Sequence, residues 1–341
     1  MIHKLQGFLV STLVLSSVIF CCFIGSEVFI RYVIDDGMEY NLEMWKYARK
    51  LKRVSEDPSQ GHKHIPSRSA HLMGVDVVIN SHGHRNKETP INKPPGITRV
   101  VMLGDSLTLG WGVPSKNTVS ERLEVLLNEN GGEKRFEVIN AGVGNTNTEM
   151  QVARFLADEV KFSPDIVVLN YFINDAEPIP RPTKNILMKY SAAYVFFSLR
   201  MASIGRIFFG GKQWHQYYLD LYKEKSEGWQ RAQAFFKKLS KYCRSKDIRL
   251  ILVSYPELHQ FRPYSFAAVT QKLKNMADRL EVPFFDLLPT LQWQKEENLW
   301  ISRQDQHPNS LACSLIARAI KDAFEKHLSI NKPSLAETSG E

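Results

Sequence analysis

Four short segments carry side chains whose types and spacing could act together on a carbonyl group. The first, Gly104-Asp105-Ser106-Leu107, follows a short apolar run and offers a hydroxyl. A serine hydroxyl is a weak nucleophile until a neighbouring base takes its proton. The last segment, Asp305-Gln306-His307-Pro308-Asn309, supplies such a base: an imidazole with a carboxylate two residues before it, able to orient the ring toward Ser106. Between them lie Asn140-Ala141-Gly142-Val143-Gly144-Asn145, a turn whose backbone can approach a ligand closely, and Phe172-Ile173-Asn174-Asp175, which brings a side-chain amide. The backbone N–H groups of Ser106 and Gly142, with the Asn174 side chain, make three donors for an oxyanion. The chemistry is acyl transfer through a covalent serine intermediate. Taken alone, Ser106 has the plainer role of a helix cap, and no Gly-Lys-Ser/Thr follows it to make a phosphate loop.

Other chemistries find less support. Of ten histidines, His307 combines a nearby carboxylate with a place at the end of an α/β pattern. His62, His64, His71, His82 and His84 fall in an irregular stretch and read as solvated side chains. His82-Gly83-His84 lacks a third ligand at a definite spacing, so no metal is expected. Four cysteines form no CxxC pair; Cys21 and Cys22 are adjacent in an apolar run, and a Cys243–Cys313 bridge is conceivable but has no support in the spacing. The 44 basic against 36 acidic residues give +8, scattered without a Lys/Arg block, which argues against a nucleic-acid groove. With 43% hydrophobic and 23% charged residues, the chain has a globular composition and not a fibrous or disordered one.

Each candidate segment needs an element to position it, and the pattern supplies one. Thr98–Leu103 is a β-branched apolar run of the kind buried on both faces of a parallel sheet, and it ends at Gly104. Phe136–Ile139, Asp165–Leu169, Ile248–Ser254 and Pro283–Asp286 are four further strands. Helices are expected near 119–127, ended by Gly131-Gly132, and near 148–160, 226–245, 266–280 and 310–327. Strands alternating with helices imply a five-stranded parallel sheet covered on both faces. In such sheets ligands bind beyond the carboxyl ends of the strands, where all four segments fall.

Outside the alternation, Gly7–Ile24 is an uncharged apolar run long enough to cross a bilayer as a helix. The Phe23-Ile24-Gly25-Ser26 end lacks an A-x-A-like cleavage site, which favours a retained anchor over a cleaved signal. Residues 1–26 are therefore read as a transmembrane helix, with the rest of the chain on the extracytoplasmic side. Residues 27–95 read as a connector packing on the main domain, with 26–53 helical, 54–95 irregular and Asp76–Asn80 a short strand. The main domain covers 96–328, and the tail 329–341 is expected to be disordered. An aromatic insertion, about 178–225, reads either as a helical lid with its own small core or as a membrane- or substrate-facing surface.

From about Ile97 to Lys326 the chain resembles the GDSL/SGNH hydrolase family, in which Ser, Gly, Asn and His come from four separated blocks in this order. The resemblance falls on Ser106, Gly142, Asn174 and His307. It implies a three-layer α/β/α sandwich and ester hydrolysis without a metal or cofactor. Ser106 would be the nucleophile, His307 the base and later the acid, and Asp305 the residue that orients His307. Two departures stand out: Phe172 occupies the place of the usual Gly in the third block, and Gln304 occupies that of the usual Asp, leaving Asp305 one residue closer to the histidine. Asn80-Ser81-His82-Gly83-His84-Arg85 is similar to a stretch preceding the catalytic domain in membrane-tethered bacterial members. The implied activity is that of a tethered serine esterase removing acetyl or other acyl groups from a small-molecule, lipid or glycan substrate. An acyltransferase to a glycan hydroxyl shares the covalent step, and an inert carbohydrate-binding or assembly module could reuse the fold.

Overall fold

The computed structural model describes residues 2–129, 135–208 and 214–327. Gly131-Gly132 and the tail 329–341 lie outside the described residues. Helix α1 (Ile2–Phe29) runs into a π-helical turn (Ile30–Ile34) and helix α2 (Tyr40–Leu51). Four short strands follow: β1 (Lys52–Val54), β2 (His62–His64), β3 (Arg68–Leu72) and β4 (Val75–Ile79). The alternation then begins with β5 (Ile97–Gly104), α3 (Ser106–Leu109), α4 (Val119–Asn128), β6 (Arg135–Gly142), α5 (Thr148–Arg154) and β7 (Ile166–Tyr171). Helices α6 (Ile186–Tyr190), α7 (Ala192–Phe208), α8 (Trp214–Leu221) and α9 (Glu227–Ser245) lead to β8 (Arg249–Ser254), α10 (Ala267–Arg279) and β9 (Phe284–Asp286). The chain closes with α11 (Leu288–Leu291), a hairpin of β10 (Trp300–Ser302) and β11 (Asp305–Pro308), and α12 (Ser310–His327).

The central sheet has the order β6-β5-β7-β8-β9 and every pair in it is parallel. All five expected strands are present, and three of them, β5, β6 and β7, extend further than the apolar runs alone suggest, because polar ends such as Asn140 still join the ladder. Alternate residues of β5 face opposite sides: Val100 and Met102 pack with α4 and α12, while Val101 and Leu103 pack with α5 and α9. The helices meet these faces with apolar stripes, Val119, Leu123 and Leu127 on α4 and Trp229, Phe236 and Cys243 on α9. Cys313 lies in the first of these clusters and Cys243 in the second, so the sheet separates them and both are free. The order reverses at β5, whose neighbours β6 and β7 are its next two strands in sequence. In open parallel sheets, ligands bind beyond the carboxyl ends of the strands at such a reversal.

The chain divides into two compact units. The larger, drawn from Lys50–His71, Val75–Arg181 and Gln213–Glu341, holds the sheet. The smaller, drawn from Met1–Arg49, Leu72–Gly74 and Pro182–Lys212, holds α1, α6 and α7. This division cuts across the segment read as one connector over 27–95 and the insertion read as one piece over 178–225. In α1 and the turn after it, Leu5–Ile34 is long and apolar enough to cross a membrane, and its most apolar stretch is unburied, a length and composition that signal sequences share.

Candidate active site

The serine turn is built by close backbone approach. Asp105 caps α3, its Oδ1 accepting the N–H of Leu107 at 2.9 Å. A Cβ on Gly104 would stand 2.0 Å from Thr108 Oγ1, and one on Gly142 would stand 2.3 Å from the backbone N of Leu109. Glycine at both positions lets the short helix settle on the ends of β5 and β6. From outside the sheet, the buried Arg85 guanidinium donates to the carbonyls of Leu109 (3.1 Å), Gly110 and Val113 (2.7 Å). That is the structural use of the Asn80–Arg85 stretch: it grips the chain just after the serine turn.

Ser106 Oγ lies 2.9 Å from His307 Nε2, and His307 Nδ1 lies 2.5 Å from Asp305 Oδ1. The sequence suggests an irregular loop for Asp305 and His307. Instead they lie on β11, which pairs antiparallel with β10. In an extended strand, residues two apart point to the same face. The Asp-x-His spacing thus brings carboxylate and imidazole together as an i,i+3 pair would on a helix. The backbone N–H of His307 also donates to Asp305 Oδ1 (3.1 Å), and Asn309 Oδ1 caps α12 through the N–H groups of Leu311 and Ala312. The other carboxylate oxygen, Asp305 Oδ2, accepts the indole N–H of Trp111 at 2.9 Å, with both side chains buried. Nothing in the sequence pairs these two residues, Trp111 in the turn after α3 and Asp305 on β11.

Asn174 reaches the same edge, and its Nδ2 donates to Asp105 Oδ2 at 2.9 Å. One amide hydrogen is used there and the second remains for a ligand. Phe172 in place of glycine leaves this turn intact, because the Phe172 N–H donates to Asp175 Oδ2 at 2.8 Å. Asp175 Oδ1 is held by Thr148 (2.9 Å) and Gln151 (3.0 Å). Burial pushes the Asp105 carboxyl above its usual range against the hydrogen bonds from Asn174 and Leu107. Burial and the nearby Asp105 charge push Asp175 well above it.

The Gly142 N–H donates to Asn140 Oδ1 at 3.0 Å, a bond an Asn side chain readily makes to the backbone N–H two residues on. The histidines read as solvated divide. His64 and His84 are buried, and His84 Nε2 meets Glu159 Oε2 at 2.5 Å. Burial opposes the Glu159 charge, but His84 and Arg154 outweigh it and hold that carboxyl below its usual range. Lys52 Nζ donates to Gly144 O at 3.0 Å beside His62; burial brings Lys52 down to about 7 and, with the Lys52 charge, His62 down to about 3.

A hydroxyl, imidazole and carboxylate in hydrogen-bonded line, beside an amide donor, can carry out nucleophilic attack on a carbonyl. Residues 102–312 match the model of the GDSL-like Lipase/Acylhydrolase family. Among solved structures, the chain is similar to a two-domain esterase active on acetylated mannans (15% identity, TM-score 0.45, covering 67% of this chain and 49% of that one). It is also similar to the lipase/acylhydrolase from Enterococcus faecalis (15%, 0.42, 67% and 96%) and to the acetyl xylan esterase AlAXEase (16%, 0.40, 66% and 98%). The chain thus spans about half the length of the mannan esterase. No curated protein matches it. Likeness this distant says nothing of this chain's own substrate.

Proposed function

The chain belongs to the GDSL-like lipase/acylhydrolase family, hydrolases acting on ester bonds, and on that premise we propose that it is a membrane-tethered serine esterase using Ser106, His307 and Asp305. His307 Nε2 takes the Ser106 proton as Oγ attacks the ester carbonyl, and the carbonyl oxygen becomes an oxyanion facing the Ser106 N–H and Asn174 Nδ2. Collapse breaks the ester C–O bond and the leaving alkoxide takes the proton from His307. Water, deprotonated by the same ring, then attacks the acyl-serine; the C–Oγ bond breaks, Ser106 Oγ takes the proton back from His307, and the acid is released. The observation carrying this reading is the Ser106–His307–Asp305 line, with contacts of 2.9 and 2.5 Å at the sheet's switch point.

The tether is α1. In its support, α1 continues unbroken past Ser26, and Glu27 is bonded into the smaller unit through Ser191 Oγ at 2.7 Å. A helix end used in folding is a poor candidate for removal, and signal-anchor logic puts the body outside the cytoplasm.

The full chain in detergent or nanodiscs should label at Ser106 with a fluorophosphonate and release acid from acetylated or longer acyl esters. Folded protein that refuses the probe would instead be a binding module. Acyl transfer to added glycan hydroxyls in place of acid release would make the chain a transferase. Asn174→Ala should lower kcat by about 10²–10³, the scale of one oxyanion donor. A change in KM alone would limit Asn174 to substrate binding. Trp111→Phe removes the donor to Asp305 Oδ2 and keeps one aromatic ring there, so kcat and the rate of fluorophosphonate labelling should fall together by about tenfold, with KM unchanged. A variant that lost only melting temperature would make Trp111 a packing residue.

A further inference from the structure

Within the smaller unit, the end of α1 and the start of α7 are joined by a polar cap. The Glu27 carboxylate accepts from Ser191 Oγ at 2.7 Å and from the N–H groups of Ala192 and Ala193 at 3.0 Å each. Arg31 bonds Glu27 and the Tyr190 carbonyl, and Trp45 Nε1 donates to the Met188 carbonyl at 2.9 Å. Ala192, Ala193 and Val195 then pack on Ile30 and Leu42. Over the next turn and a half the helix stays apolar, and Phe197, Leu199 and Met201 are exposed, Phe197 to 50% and Met201 to 63%; the preceding helix α6 leaves Ile186 and Tyr190 equally bare. The apolar stretch Ala192–Ala202 is too short to cross a bilayer. A helix that is apolar on several sides requires cover from lipid or protein.

Charge identifies the cover. From Pro182 to Phe208 the sequence has Lys184, Lys189, Arg200 and Arg206 and no Asp or Glu. Arg200 lies 3.8 Å from Glu39 and over the Phe196 ring, while Lys184 and Lys189 are exposed. Aromatic and aliphatic side chains mixed with cations alone suit the headgroup layer of an anionic bilayer. The N-terminus of α7 is bonded to Glu27, just after the uncharged apolar run of α1, so α7 starts beside the end of that run.

We propose that α6 and the exposed part of α7 lie in the interface of the bilayer that α1 spans, giving the chain a second lipid contact. The inference rests on the reading of α1 as a retained anchor. p-Benzoyl-phenylalanine introduced in place of Phe197, Met201, Ser17 or Ile91 in the full chain, in nanodiscs of phosphatidylethanolamine and phosphatidylglycerol, tests both. Photolysis should give lipid adducts by mass from positions 197, 201 and 17, and none from 91, which is exposed on the larger unit. Lipid adducts at 17 without any at 197 and 201 would overturn the proposal and leave the anchor standing. A crosslink from 197 or 201 to a second copy of the chain, in place of lipid, would overturn it in favour of self-association. Labelling at 91 as strong as at 197 would also defeat it. Absence of lipid at 17 would remove the anchor itself, and the proposal with it.

Discussion

Ser106→Ala should abolish ester turnover, by about 10⁶ in kcat, while the protein stays folded. The size of the loss follows from the position of Oγ. It lies 2.9 Å from His307 Nε2, so without it the imidazole has no serine hydroxyl to deprotonate and no acyl-serine forms. What remains is the oxyanion environment acting on water. Stability should barely move, because α3 is held by features that the substitution leaves alone. Asp105 still caps Leu107, Gly104 and Gly142 still admit the turn, and Arg85 still holds the carbonyls behind it. One hydrogen bond to a partly exposed imidazole contributes about 1 kcal/mol, a change of only a few degrees in Tm. The check is paired: acid release by titration and Tm by calorimetry on the same preparation. Turnover within about tenfold of the parent would remove Ser106 from the chemistry, whereas joint loss of activity and folding would make it a structural cap.

How much of this site can be read from sequence depends on where each part gets its shape. The parallel strands are legible because burial on both faces demands unbroken apolar runs such as Val100–Leu103, and the covering helices because one apolar stripe must face those strands. The short strands around His62–His64 and Arg68–Leu72 are not, since polar residues carry them and pairing rather than composition makes them extended. Asp305 and His307 are legible as a pair, yet the backbone that joins them is not. Asp305-Gln306-His307 has no strand signature, and its extended form comes from pairing with Trp300–Ser302. At Gly142 the place at the sheet edge is as the sequence suggests, while the bond its N–H makes to the Asn140 side chain is a detail that a pattern of residue types cannot specify. Trp111 and Arg85 escape for the opposite reason: each acts on a distant partner, Asp305 and the serine turn respectively.

Asp305→Asn should lower kcat by about 10⁴ while the protein stays folded, and the surroundings of the carboxylate explain why so small a change costs so much. Three donors converge on it: the Nδ1–H and backbone N–H of His307 on Oδ1, and the Trp111 indole on Oδ2. A carboxylate satisfies all three because both its oxygens accept; an amide has one oxygen and one NH₂ group. If the amide oxygen faces Trp111, the NH₂ group donates to Nδ1 and drives the ring proton to Nε2, where it blocks transfer from Ser106, and the same NH₂ group meets the backbone N–H of His307. If the oxygen faces His307, the correct tautomer survives, but the buried indole N–H meets another donor, at a cost of about 1–3 kcal/mol. In both orientations the negative charge that stabilises the imidazolium is gone. Trp111 therefore biases the amide toward the inactive arrangement, and removing it should relax that bias. In a Trp111→Phe background, Asp305→Asn should cost less than in the parent, a coupling that a double-mutant cycle on kcat measures. Purely additive losses would mean that Trp111 does not select the tautomer. Near-normal turnover of Asp305→Asn alone would reduce the machinery to a Ser106–His307 dyad, oriented by the backbone of β11 rather than by its carboxylate.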